Sequence, residues 1–164
     1  MQSRRGRWLS MGIVAGLVVG GLVAWRSLGV RAAWVRLTKY CPGCDLQTAD
    51  LSRADLQQAN LQAANLSRAN LSETQLQGAN LAQATLQASN LSLAQLSAAK
   101  LTGANLTQAN LQGASLRQVD GGAANFQGAS LIFADLTNAD LTGASLVGAI
   151  VQGAEWSGTR GVSR

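Results

Sequence analysis

Two cysteines, Cys41 and Cys44, are the residues of this chain whose type and spacing most directly suggest chemistry. They enclose Pro42 and Gly43, and such a pair could form a disulfide in an oxidising compartment. The sequence contains no histidine, so two cysteines cannot complete a tetrahedral zinc site within one chain. Asp45 follows Cys44 where haem attachment needs histidine. A disulfide, a pair of small core residues and a redox role stay open, although redox motifs of this kind normally accompany a βαβ unit.

The absence of histidine also excludes the common nucleophilic sites. Serine and cysteine nucleophiles of the Ser-His and Cys-His type need an imidazole as their base. We therefore predict that the chain is not an enzyme and that it takes no metal, cofactor or small-molecule substrate.

Most of the sequence is organised as a repeating unit of five residues, and this repeat must determine where the two cysteine side chains lie. A large apolar residue recurs every five residues from Leu46 to Trp156, and 19 of the 23 positions are Leu. Alanine stands two residues before the position in 19 of the 23 units. Neither a helix, with 3.6 residues per turn, nor a strand, with a period of two, can bury this pattern on one face. A solenoid with one unit per side can.

Residues 59–63 (Ala-Asn-Leu-Gln-Ala) and 139–143 (Ala-Asp-Leu-Thr-Gly) resemble the A-[DN]-L-x-x consensus of the pentapeptide-repeat proteins, and the resemblance covers residues 45–158. It implies an all-β solenoid, a right-handed quadrilateral β-helix with four units per coil. The central Leu and the preceding Ala face inward, and the other three positions face solvent. Nearly six coils at roughly 4.8 Å per coil give a rod about 28 Å tall.

Outward positions that are twenty residues apart should stack in columns along such a rod. Arg53 is then expected to pair with Glu73, and Lys100 with Asp120. Asp120 and Asp140 would stack at about one strand spacing, close to the separation of a retaining glycosidase pair. They would lie on a convex wall without a cleft, so we interpret them as structural.

Two further features of the repeats are interpreted as structural. Gly121 leaves one core position empty, and Val119 is expected to fill part of the gap. A regular polar column is the second, formed by Asp50, Asn70, Asn90 and Asn110.

Several large apolar residues fall on outward positions, where core packing does not require them. Exposed apolar clusters often mark a contact site, so we predict a protein-interaction patch. Its residues are Leu93, Ile132, Phe133 and Ile150, which share one side of the rod, and Val147 at an adjacent position.

The N-terminal segment from Trp8 to Trp25 contains no charged residue and is long enough to cross a bilayer as a helix. Tryptophan at each end favours the membrane interfaces. A cleaved signal peptide is the alternative, with residues 30–32 as a tolerable cleavage site. Small residues four apart predict close packing against another transmembrane helix, in a second copy or in a different membrane protein: Gly12, Gly16, Gly20 and Ala24.

A short helix is predicted between this segment and the repeats. Val30, Trp34 and Leu37 form an apolar stripe at helical spacing, which would cover the open end of the first coil. The same helix carries Arg31, Arg36 and Lys39, which could also contact anionic lipid headgroups.

We therefore divide the chain into a basic flank and transmembrane anchor (1–27), a neck and capping helix with the cysteine pair (28–44), the β-helix (45–158) and a C-terminal tail (159–164). All seven basic residues before residue 45 flank the predicted span, and the rest of the chain has eight acidic and six basic residues. Nucleic-acid binding is therefore not expected.

The predicted function is a membrane-tethered scaffold or assembly factor, with an unknown protein or a second copy as partner. The lead-in at residues 37–46 resembles that of exported or membrane-associated cyanobacterial pentapeptide-repeat proteins, which implies a repeat domain in the periplasm or thylakoid lumen. A redox or disulfide-linked role is the alternative. Imitation of DNA at gyrase, which some family members perform, needs a more acidic surface than these repeats carry.

Overall fold

Coils of twenty residues form the body of the molecule in the computed structural model, which describes residues 28–162. Parallel bridges join residues twenty apart, from Tyr40–Asn60 through to Asp140–Arg160. Each contact is a single-residue bridge, so the described residues contain no longer strand. Four units of five therefore close each coil, which confirms the predicted four-sided β-helix. We number its faces by the leucine of their first unit: Leu46 (face 1), Leu51 (face 2), Leu56 (face 3) and Leu61 (face 4).

Each unit combines one turn with hydrogen bonds to the neighbouring coils. In the first unit Ala49 N–H donates to the Leu46 carbonyl at 3.0 Å, which closes a tight turn. Leu46 N–H donates to Asn65 O at 2.7 Å, and Asn65 N–H donates to Cys44 O at 2.8 Å. The third residue of each turn has a positive φ, between 54° and 60° even where it is not glycine. This left-handed conformation is unfavourable for most residues, so coil packing must offset its cost.

The core is a stack of leucines bordered by alanines, as the repeat predicted. All the leucines at the central positions from Leu46 to Leu141 are fully buried, and Phe126 is accommodated among them. Complete burial of a leucine side chain contributes roughly 1.5–3 kcal/mol, so the leucine column is the main source of stability. In the last described coil the inward residues Leu146, Val151 and Trp156 are only partly covered.

The gap at Gly121 is filled mainly from the next coil. Leu141 Cδ2 lies 2.7 Å from the position that a Cβ at Gly121 would take, and Val119 Cγ1 lies 3.8 Å from it. Val119 therefore contributes as expected, while the larger part of the filling comes from Leu141.

The polar column on face 2 is a ladder of side-chain amides. Asn70 Nδ2 donates to Asp50 Oδ1 at 3.2 Å, Asn90 to Asn70 at 3.4 Å and Asn110 to Asn90 at 3.3 Å. Each receiving oxygen also accepts a backbone N–H from two residues further along its own turn, as Asn70 does from Ser72. The amide group suits this role because it both donates and accepts.

One helix, α1 (Leu28–Thr38), precedes the coils. It packs on the first coil through Val35, which is fully buried, and Ala32. The predicted contact stripe is wrong, because Leu37 is 82% exposed and Val30 is also exposed. Among residues 28–162 there is no helix with the length and apolar character of a membrane span. The predicted anchor, with Gly12, Gly16, Gly20 and Ala24, lies outside the described residues.

Candidate functional site

The predicted interaction patch lies on the outer surface of the β-helix. Phe133 and Val147 are about two-thirds exposed, and Leu93 and Ile150 about half exposed. Ile132 is partly buried beside Phe133. All five side chains lie outside the leucine column, at turn or bridge positions of faces 1 and 2, so the core gains little from them. The structure thus brings the five residues to two adjacent faces.

Leu93 and Phe133 lie flat along the rod above glycines of the next coil. Leu93 Cδ2 is 2.8 Å from the position that a Cβ at Gly113 would occupy, and Phe133 Cδ1 is 2.5 Å from the equivalent position at Gly153. A side chain at either glycine would collide with the large residue of the preceding coil. Sequence reasoning missed this arrangement, although the glycines that follow each large residue by twenty positions were its signal.

Charged side chains are absent from the two faces that carry the patch, from residue 85 to residue 153. Over the same coils the described charged residues all lie on faces 3 and 4: Lys100, Arg117, Asp120, Asp135, Asp140, Glu155 and Arg160. Loss of charge distinguishes the centres of protein interfaces from the remaining surface more clearly than bulk hydrophobicity does. The patch therefore has the composition of an interface centre as well as exposed apolar side chains.

The basic residues of α1, and Lys39 directly after it, bind the first coil. Arg31 lies 3.6 Å from the Asp45 carboxylate and donates to the Asp45 carbonyl at 2.9 Å. Lys39 pairs with Asp55 at 2.8 Å. The hydrogen bond from Lys39 lowers the pKa of Asp55 below its ordinary value. Hydrogen bonds from Ser52, followed by the charge of Arg36, lower the pKa of Asp50 in the same way.

Arg36 replaces donors that a preceding coil would supply. Its guanidinium donates to the carbonyls of Asp50 and Ser52 at 3.1 and 3.3 Å. In later coils such carbonyls accept from the residue nineteen positions earlier, but here those positions lie within α1. Together with Arg31 and with Lys39, which follows α1, this contact ties the basic residues of the neck to the first coil.

Cys41 and Cys44 are joined by a disulfide, with their Cα atoms 5.4 Å apart. That separation lies in the usual range for a disulfide. Cys41 occupies a central leucine position and is buried, and Cys44 occupies an alanine position and is partly exposed. The two cysteines therefore line the core of the first coil and are also cross-linked. The interpretation as small core residues and the interpretation as a disulfide are compatible.

The predicted charge pairs have different outcomes. Arg53 makes a bidentate contact with Glu73, at 3.0 and 2.9 Å, as the stacking predicted. Lys100 and Asp120 are joined by a backbone bridge, but no ion pair links their side chains among the described residues. Asp120 instead accepts Gly122 N–H within its own turn at 3.3 Å.

The stacked carboxylates of Asp120 and Asp140 lie on face 4, and each accepts a hydrogen bond within its own turn. Asp120 and Asp140 are bridged neighbours, as expected, and Thr142 donates to Asp140 at 2.6 Å. That hydroxyl hydrogen bond is the main reason that the pKa of Asp140 lies below its ordinary value. No group of acidic or cysteine side chains in residues 28–162 could hold a metal ion.

Comparison with known proteins gives a consistent result. The family model for pentapeptide repeats matches residues 49–87, 89–120 and 123–159. No protein with a curated description matches the chain in sequence.

Several solved structures are similar to the chain. HetL from Nostoc sp. strain PCC 7120, a pentapeptide repeat protein involved in heterocyst differentiation regulation, is 30% identical over 76% of this chain and 78% of its own, with a TM-score of 0.44. The pentapeptide repeat protein alr5209 from Nostoc PCC 7120 is 32% identical over 59% of this chain and 79% of its own, with a TM-score of 0.48. A pentapeptide repeat protein of the Arabidopsis thaliana thylakoid lumen is 31% identical over 69% of this chain and 72% of its own, with a TM-score of 0.27.

Proposed function

Because this chain belongs to the pentapeptide-repeat family, we propose that it is a non-catalytic protein-interaction module, held at a membrane by residues 8–25 and acting as a scaffold or assembly factor. The observation that carries this proposal is the patch of Leu93, Ile132, Phe133, Val147 and Ile150 on two faces that carry no charge between residues 85 and 153. Exposed apolar side chains need a partner to gain from burial.

The attachment of α1 to the first coil supports a role in positioning. Arg31, Arg36 and Lys39 hold the helix to three successive faces of that coil. A membrane segment placed just before α1 would then be coupled to a rod of fixed direction, with the patch in its outer half. Exposed ion pairs are individually weak, so this coupling depends on their acting together with the buried Val35.

The disulfide supports placement of the β-helix in an oxidising compartment, such as the periplasm or thylakoid lumen, because disulfides are rare in the cytosol. Within the anchor, Gly12, Gly16, Gly20 and Ala24 would pack against another helix.

A redox role is the second candidate, and the partial exposure of Cys44 favours it. An exchanging thiol needs access to one sulfur of the disulfide. Alkylation of the native protein before and after reduction distinguishes a structural disulfide from a redox-active one. A stable structural disulfide leaves both cysteines unmodified under a mild dithiol that fully reduces an exposed control disulfide, whereas rapid labelling of Cys44 favours the redox role.

Affinity purification from native membranes tests the scaffold proposal. The wild type is compared with an Ile132→Asp, Phe133→Asp variant by quantitative mass spectrometry. The matched control is Ala82→Asp with Gln83→Asp, which places two carboxylates at the same turn positions on face 4. We expect a co-purifying protein, or a second copy, to be lost from the face 2 variant alone. Equal recovery of co-purifying proteins with the wild type and both variants would indicate that the interaction involves the anchor or the neck and not the patch.

A further inference from the structure

The rod end farther from α1 carries an uncovered backbone edge on faces 1 and 2 of the last described coil, residues 141–160. Every earlier coil gives its successor two N–H donors and one carbonyl per unit. In one such unit Leu131 N–H donates to Ile150 O at 2.7 Å, and Ile150 N–H donates back to Ala129 O at 2.9 Å. The equivalent groups of the last coil have no backbone partner within residues 28–162, and we call them the open edge: the N–H groups of Leu146, Gly148, Val151 and Gly153 and the carbonyls of Ala144 and Ala149.

The open edge is apolar and lacks the residues that usually protect an edge. Leu146 is partly exposed and Val151 is 41% exposed, whereas the leucines at the same positions of the earlier coils are fully buried. Residues 144–154 contain no charged residue and no proline, although natural proteins use such residues to keep other chains from pairing with an edge strand. Val147 and Ile150 border the edge, so it is continuous with the patch.

The turns of the last coil leave the approach to the open edge free. Side chains at the third turn position extend over the next coil, as Phe133 does over Gly153 and Gln58 does over Gly78. In the last coil all four units have glycine at this position: Gly143, Gly148, Gly153 and Gly158. No side chain of these turns therefore extends over the open edge.

From this donor pattern we propose that the open edge binds an extended segment of another protein, which adds to faces 1 and 2 as a further part of a coil. Strand addition of this kind takes its affinity from main-chain hydrogen bonds and its specificity from side-chain pockets. The space next to Leu146, Val151 and Trp156 measures about 370 Å³. Since about 150 Å³ already holds a benzene ring, one large apolar side chain fits on each face. The proposal rests on the proposed function, because it names the kind of segment that the interaction module would bind.

The excess of N–H donors distinguishes this occupant from others. Lipid tails and apolar side chains have no acceptor for these groups. The same end of a second copy would present the same excess, so donors would face donors. The opposite end of a second copy has the complementary carbonyls, but Arg31 and Arg36 of α1 already donate to them. A separate extended polypeptide supplies the missing carbonyls at the required spacing.

Disulfide trapping on the purified full-length chain in mild detergent tests the proposal. The reagent is a synthetic peptide with the sequence of residues 104–114, which form faces 1 and 2 of an inner coil and accept from the coil before it, as Asn110 O does from Leu91 N–H at 2.7 Å. Cysteine, activated as a pyridyl disulfide, replaces its equivalent of Gln112. In the proposed register it stacks about 4.8 Å from Gln152→Cys in the protein, which is a suitable separation for a disulfide.

Two pairs of controls test the register and the edge. A peptide with cysteine at its equivalent of Thr107 carries the thiol on face 1, and Gln112→Cys in the protein lies about 14 Å from the matched peptide cysteine. Gly148→Gln, added to Gln152→Cys, extends a side chain over the open edge. Gly128→Gln is its matched control one coil farther in, because the two glycines have φ of +68° and +65° and neither has an atom within 3.6 Å of a new Cβ.

We expect the matched peptide to give about tenfold more adduct with Gln152→Cys than with Gln112→Cys, because binding raises the effective concentration of the two thiols. The peptide with the displaced cysteine should give the lower yield, Gly148→Gln should remove most of the difference, and Gly128→Gln should preserve it. Equal yields from the two peptides, or equal effects of the two glycine substitutions, would overturn the proposal. Efficient dimerisation of Gln152→Cys without peptide would assign the edge to a second copy and overturn it as well.

The outcome is separable from that of the proposed function. If the matched peptide gives no adduct while the face 2 variant still loses a protein from membranes, only this inference fails and the proposed function stands.

Discussion

Replacing Gly113 with alanine tests whether Leu93 is fixed against the coil that follows it. Gly113 and Gly103 have the same φ of +65°, so an alanine meets the same backbone cost at both positions. We put that cost at about 1–2 kcal/mol. The surroundings differ, because the new Cβ would lie 2.8 Å from Leu93 Cδ2 at position 113 but 3.8 Å from Gln83 Cγ at position 103. Gly103→Ala therefore measures the backbone cost alone.

The additional cost at Gly113 comes from displacing Leu93. Its side chain is 56% exposed, so somewhat less than half of it is buried. Full burial of a leucine contributes roughly 1.5–3 kcal/mol, and the part at risk is therefore about 1 kcal/mol. We expect Gly113→Ala to lower the free energy of unfolding by about 1 kcal/mol more than Gly103→Ala does.

Urea unfolding followed by circular dichroism gives the two values, and a double-mutant cycle with Leu93→Ala identifies the cause. In the Leu93→Ala background, Gly113→Ala should cost no more than Gly103→Ala, which corresponds to a coupling energy of about 1 kcal/mol. Equal destabilisation by the two glycine substitutions in the wild-type background would refute the view that Leu93 rests on Gly113. A difference between the two glycine substitutions that is present in the wild-type background and disappears in the Leu93→Ala background would support this view.

Two other predictions concern the attachment of α1 and the core. The depressed pKa of Asp55 means that its contact with Lys39 stabilises the docked helix above the ordinary value of 3.8 and is lost as the pH falls through the lower folded-state pKa. The protection factors of the α1 amides, which correct for the slower intrinsic exchange in acid, should therefore fall as the pH is lowered, and Asp55→Asn should remove that part of the fall; an unchanged pH profile of the protection factors would argue against the contact. Leu91→Ala removes a fully buried side chain in a middle coil, so we expect a loss of about 2–5 kcal/mol in urea unfolding. Ser92→Ala on the same unit is the control, and a comparable loss there would contradict the assignment of stability to the leucine column.

The β-helix could be predicted because a single rule, repeated in every unit, determines it. A leucine every five residues predicts a solenoid with one unit per side, and the resemblance to the pentapeptide-repeat family implies four sides per coil; the structure places Leu46 and its successors in that core. Stacking at twenty residues follows from the two together, which is why the Arg53–Glu73 contact and the asparagine column could be predicted. Both features depend only on the register of the coil.

Features that do not depend on the twenty-residue stacking register could not be predicted from the repeat. The face that α1 buries is set by the carbonyls of the first coil, which need the guanidinium of Arg36 close to them. That requirement turns Val35 inward and leaves Leu37 in solvent, although helical spacing alone favours Leu37. Lys100 and Asp120 stack as expected, yet no ion pair joins their side chains among the described residues. Position in a column therefore does not by itself determine which charged side chains pair.

The amide ladder on face 2 makes the length of the rod adjustable in whole steps. Its donors all point towards the first coil, where Asp50, which only accepts, terminates the series. An additional twenty residues inserted at Asn70 or Asn90 would extend this series and leave both ends unchanged. The patch would then move about 4.8 Å farther from α1 and keep its heading, whereas an insertion of five residues would turn it by a quarter of a revolution. Evolution by duplication can therefore tune the reach of this surface independently of its direction.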